Sequence, residues 1–112
     1  VIKIKIVKMK DIIQRVDVIG HADYAAKGCP DLVCCAVSIT IQNAYYSLIE
    51  LIGARDVKGI MEVGNSYVEV RDLNLPTFEQ VIRYAILKAC EISLNMLAVE
   101  YPNNIMIEEV EL

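Results

Sequence analysis

The chain has 112 residues, 55% of them hydrophobic and 23% charged, with a formal net charge of −4. That length and composition suit one globular domain and exclude a disordered chain. The acidic balance, the lack of Trp and the single Phe disfavour direct nucleic-acid binding, which draws on basic excess and aromatic stacking.

Residues 2–9 alternate Ile2, Ile4 and Ile6 with Lys3 and Lys5, the period-2 pattern of a half-buried strand. Residues 12–19 carry Ile12, Ile13, Val16, Val18 and Ile19 and predict a second strand, ended by Gly20. A turn at Lys10-Asp11 would pair the two as a hairpin. Residues 21–31 read as a loop with Gly and Pro breakers and the only His of the chain, His21. Asp31 is a good N-cap for a helix from Leu32 to about Ile52, and Gly53 is a natural stop. Glu50 is the only charge in that helix, which predicts burial on most sides.

Residues 57–63 and 66–71 predict two short strands around a Gly64-Asn65 turn. Pro76-Thr77 opens a second long helix, with Thr77 and Gln80 spaced as a capping box. Its polar stripe is Glu79, Gln80, Arg83, Lys88, Glu91 and Asn95, and Phe78, Val81, Ala85, Ile92, Met96 and Val99 lie on the opposite arc. Tyr101-Pro102 ends the helix. Residues 105–110 predict a last strand, with an acidic end in Glu108, Glu109 and Glu111. The order ββαββαβ implies a two-layer α+β domain over residues 1–112, with a mostly antiparallel sheet and two long helices.

Four cysteines do not make a disulfide framework here. Cys34 and Cys35 are adjacent, and the N-terminus alternates Ile and Lys instead of forming an apolar leader. A reducing cytoplasm is the expected setting. Residues 32–52 approach the length of a membrane span, but Gln42, Asn43, Ser47 and Glu50 interrupt them and no basic flank adjoins. A core helix is therefore expected.

The chemistry concentrates between Gly20 and Ser38. With Asp31 as N-cap, Cys34 takes the third helical position, at the positive end of the helix dipole, where an anionic sulfur is favoured. The N–H groups of that first turn are also candidates to hold an oxyanion. Asp31, Cys34 and Ser38 share one helical stripe, whereas Cys35 is rotated by about 100° and is expected to point into the core. His21 is close enough in sequence for its loop to fold back on Cys34. A Cys-His pair is the minimum for a thiol nucleophile with a base. Asp31 would then cap the helix or orient His21.

The plainer readings are that Cys35 and Cys90 are small buried hydrophobes and that Ser38 bonds back to a carbonyl one turn earlier. A zinc site built from His21, Cys29, Cys34 and Cys35 lacks a usable ligand spacing. The residues His21-Ala22-Asp23 and Cys29-Pro30 match the zinc-deaminase pattern poorly. No metal or other cofactor is expected.

Gly20-His21-Ala22, then Gly28, then Asp31-Leu32-Val33-Cys34 with Ala36-Val37-Ser38 resembles the signature of the ribosomal-processing cysteine protease family (Prp, YsxB-like). The likeness extends to length and element order. It implies a cytoplasmic, homodimeric cysteine endopeptidase that removes the N-terminal extension of large-subunit ribosomal protein twenty-seven. It further implies Cys34 as nucleophile, His21 as general base, Asp31 and Ser38 as supporting polar residues, and Gly20 and Gly28 as hinges of a mobile loop. Two departures stand out: one extra residue between Gly28 and Asp31, and Cys35 where a small residue such as Ala is usual.

The rival reading is a non-catalytic ribosome-assembly or RNA-associated binding protein, with Lys3, Lys5, Lys8 and Lys10 as its basic stripe. Independently of the resemblance, apolar residues cover more than half of the second helix, including Val81, Ile82, Ile86, Leu94 and Leu97. One sheet face cannot cover so wide an arc, so a homodimer is expected.

Overall fold

The computed structural model describes every residue of the chain except Lys27 and Leu73. Its elements are β1 (Ile2–Met9), β2 (Ile12–Gly20), α1 (Leu32–Ile52), β3 (Lys58–Glu62), β4 (Asn65–Glu69), α2 (Thr77–Glu100) and β5 (Ile105–Glu111). The sheet order is β3-β4-β2-β1-β5. All neighbours are antiparallel except β1 and β5, which run parallel. The ββαββαβ order and the α+β class are as expected.

Connectivity explains why both helices share one face. The β2–α1–β3 crossover joins parallel strands in one direction across the sheet. The β4–α2–β5 crossover starts from an oppositely directed strand and steps the other way. A common crossover handedness therefore sends both helices to the same side. Ile2, Ile4, Ile6, Val16 and Val68 meet Val33, Val37, Ile41 and Leu48 of α1 and Leu87 and Leu94 of α2 in one buried cluster.

The β1–β2 turn is the expected Lys10-Asp11 pair, and both residues have positive φ, 51° and 66°. That suits the twist of a two-residue hairpin. The β3–β4 turn falls one residue earlier than expected, at Val63-Gly64, with Gly64 at φ 75°. The capping box is not formed. Pro76, at φ −51°, takes the cap position of α2 with no side-chain cap, which moves Thr77 into the first turn. Gln80 instead donates from Nε2 to the Leu75 carbonyl.

Burial of the helices departs from expectation. Only one stripe of α1 is buried, Val33, Val37, Ile41, Ala44 and Leu48, because a two-layer fold offers it one sheet face. In α2 the stripe against the sheet includes Arg83 and Glu91, 1% and 3% exposed, while Phe78 and Val99 are 75% and 82% exposed. The sheet side supplies the reason. Lys8 reaches Glu91 at 2.8 Å and also pairs with Glu109, and Arg83 donates to the carbonyls of Val70 and Asp72. These same contacts break the expected lysine stripe. Lys3 and Lys5 are exposed on the face away from the helices, but Lys8 turns beneath α2.

Candidate active site

Asp31 organises the loop between β2 and α1. Its Oδ1 accepts from the Val33 and Cys34 N–H groups, both at 3.0 Å, and caps the helix. Its Oδ2 accepts from Tyr24 and Ala25 at 3.0 and 3.3 Å. The bond from Cys34, followed by those from the loop amides, holds this carboxyl below its ordinary range. Both oxygens are engaged with the backbone, so Asp31 ties loop to helix and does not orient His21. It also occupies the Val33 and Cys34 amides proposed as oxyanion donors.

A different donor faces the sulfur. The Ala22 N–H points to Cys34 Sγ at 3.2 Å. Donation to sulfur stabilises a thiolate more than a thiol. Ala22 itself is buried, and its carbonyl accepts from Asn104 Nδ2 at 2.9 Å. The same loop is braced by an edge-on contact of Tyr24 with Tyr101, centroids 5.3 Å apart.

Cys34 opens into a cleft of about 280 Å³. Its floor is apolar, with Ile2, Val18, Val37 and Ile41, and its rim carries Gly20, His21, Cys35, Ser38, Glu62, Val63, Gly64, Asn65 and Ser66. His21 and Cys34 therefore face one cavity. Gly64 backs the imidazole closely: a Cβ there would lie 3.1 Å from His21 Nε2. The Gly64 carbonyl accepts the Gly20 N–H at 3.0 Å, which fastens the β3–β4 turn to the end of β2. Gly20 and Gly28 both hold positive φ, 98° and 86°, and a side chain on Gly20 would strike the Val1 carbonyl at 2.7 Å.

Two cysteine expectations fare differently. Cys90 is buried, and that burial pushes its thiol up to about 12. Cys35 is exposed at the rim of the cleft and not in the core, because the buried stripe of α1 runs through Val33 and Val37 instead. Ser38 accepts from Gln42 Nε2 at 2.8 Å. The expected bond back to a carbonyl is made by Thr40, to Ala36. Among the described residues no three His, Cys, Asp or Glu side chains converge to hold a metal ion.

Neither the β3–β4 rim nor Asn104 was among the candidate site residues. They lie far from the Gly20–Ser38 segment in sequence, and only the turn glycine Gly64 gave any local signal.

The cysteine protease Prp family matches residues 1–106. The fold is similar to that of the essential ribosomal processing protease Prp from S. aureus, solved with a covalently linked product peptide. That likeness has a TM-score of 0.78 at 23% identity, over 97% of this chain and 99% of the other. The same S. aureus protease solved with a substrate peptide gives 0.76 at 21% identity, with the same coverage. SMU.848 from Streptococcus mutans gives 0.72 at 23% identity, over 99% of this chain and 95% of the other. No curated protein matches the chain.

Proposed function

This chain belongs to the cysteine protease Prp family, and from that premise we propose that it is the endopeptidase that removes the N-terminal extension of ribosomal protein twenty-seven, with Cys34 and His21 as its dyad. The supporting observation is the Ala22 N–H at 3.2 Å from Cys34 Sγ, in a cleft that His21 also lines. In this reading the Cys34 thiolate attacks the scissile carbonyl carbon and forms a C–S bond. His21 gives its proton to the leaving amine as the C–N bond breaks. His21 then takes a proton from water, whose oxygen attacks the thioester and releases the extension and the thiolate.

Residues 1–112 act as one catalytic domain, cytoplasmic and homodimeric, and need no metal. Gly20 and Gly28 serve as hinges of the loop over the cleft, and Asp31 and Ser38 support it. The S. aureus relative carries a covalently linked product peptide, which accords with a thioester route.

The test is turnover of a peptide spanning the extension junction. Cys34→Ala should abolish cleavage with an unchanged circular dichroism spectrum, and Cys35→Ala should keep most of it. An active Cys34→Ala variant with a dead Cys35→Ala variant would move the nucleophile to Cys35. A chain that cleaves nothing, and whose thiols all label slowly at pH 6, would be a binding protein instead.

A further inference from the structure

We infer that Asn104, in the turn between α2 and β5, is a positioning residue for the nucleophile, acting through the backbone of Ala22; this rests on Cys34 being the reacting thiol. Ala22 is the one residue shown to direct a donor at Cys34 Sγ among the described residues, and that donor is a backbone N–H. A backbone amide cannot be aimed by its own side chain, so its neighbours in the chain must be held. Asn104 holds the peptide that follows the donating one, Nδ2–H to the Ala22 carbonyl at 2.9 Å, and so limits rotation about the Ala22 Cα that the two peptides share.

Asn104 is itself held at two backbone points. Its N–H donates to the Tyr101 carbonyl at 3.1 Å, and its carbonyl accepts from the Ile2 N–H at 2.8 Å. A relay thus runs from the start of β1 and the end of α2, through one amide side chain, to the sulfur. The surroundings make this bond consequential. Ala22 stands between His21 on the cleft rim and Asp23 at φ 54°, and its methyl is buried. Rotation of this short segment would turn the N–H away from Sγ and shift the adjacent imidazole. Asn104 touches no reacting atom, so its effect should appear in the state of the thiol and not in the capture of peptide.

Asn104→Ala and Asn104→Asp test this, in a background where Cys29→Ala and Cys35→Ala leave Cys34 as the reactive thiol. Cys34 reactivity toward 2,2′-dithiodipyridine is followed from pH 3.5 to 9, with kcat and KM for the extension peptide measured in parallel. Asn104→Ala should move the reactivity profile to higher pH and lower kcat by about tenfold, the worth of one oriented hydrogen bond, with KM little changed. Asn104→Asp presents a carboxylate to a carbonyl at neutral pH but regains a donor when protonated. Its reactivity relative to the unaltered chain should therefore climb as pH falls through about 4.

A merely structural role would lower the melting temperature and leave the reactivity profile in place, and that result overturns the inference. So does a loss confined to KM. If Asn104→Ala does not fold, the pH-dependent recovery of Asn104→Asp decides alone. If the unaltered chain cleaves no peptide while Asn104→Ala still shifts the thiol profile, the positioning role stands and the protease reading fails.

Discussion

Asp31 shows how one side chain serves several ends. Its four backbone bonds join the loop to α1, so its loss should disturb both helix and cleft. Its carboxyl is held below the ordinary 3.8 in the fold, so the unfolded chain binds the proton more readily. Its stabilising effect is therefore complete above 3.8 and is lost as pH falls through the lower folded value. Acid titration followed by circular dichroism should show a shallower stability loss below about pH 4 for Asp31→Asn, alongside lower stability at pH 7. His21 divides the two halves of the proposed chemistry. With the Ala22 donor left in place, His21→Ala should lose peptide hydrolysis far more than Cys34 alkylation by iodoacetamide. Equal small losses in both assays would remove His21 from the mechanism.

Among the elements, α2 is the least expected. Burial pushes the Glu91 carboxyl up, but the hydrogen bonds from Lys8 and Lys88 outweigh it and hold the carboxyl below its ordinary value. The hydrogen bond to Glu109, then that to Glu91, raises Lys8 in turn. Glu91→Ala would leave Lys8 beneath the helix with only Glu109, and should cost about 3 kcal/mol in urea denaturation. Glu91→Gln, which keeps a hydrogen-bonding group, should cost less. The β1–β2 hairpin offers the opposite experiment. Lys10 and Asp11 both hold left-handed backbone, which asparagine and glycine adopt more readily. Replacing the pair with Asn-Gly should raise the melting temperature, with a gain of about 1 kcal/mol.

Across the whole molecule, the two helices cover one face of the sheet, and among the described residues nothing covers the outer faces of the helices. Ile39 and Tyr46 on α1 and Val81, Ile92, Met96 and Val99 on α2 are exposed. An apolar surface shared by neighbouring elements favours a partner, and two-fold pairing of like chains is the commonest arrangement. Sedimentation at micromolar concentration should give twice the chain mass, unchanged by a chelator. Val81→Glu with Met96→Glu should shift the chain to monomer without altering its circular dichroism. A monomeric unaltered chain would refute the helix-face interface.

Strand alternation in β1, the Asp31 cap, the Gly53 stop and the run of α1 were legible in the residues, because each depends on neighbours a few positions away. The limits of α1, Leu32 to Ile52, came out as read. His21, Cys34 and Ser38 line one cleft, and all three lie within one loop and the helix it enters. What local pattern could not convey was which side of each helix met the sheet. Arg83 and Glu91 read as a solvated stripe, yet partners on other elements, the Val70 and Asp72 carbonyls and Lys8, made their burial favourable. Cys35 likewise turned outward because the stripe through Val33 and Val37 took the core. The Asn104–Ala22–Cys34 relay spans 82 residues in its first step. Such a contact exists only once β5 lies beside β1, and that pairing is a property of the folded sheet and not of any segment within it.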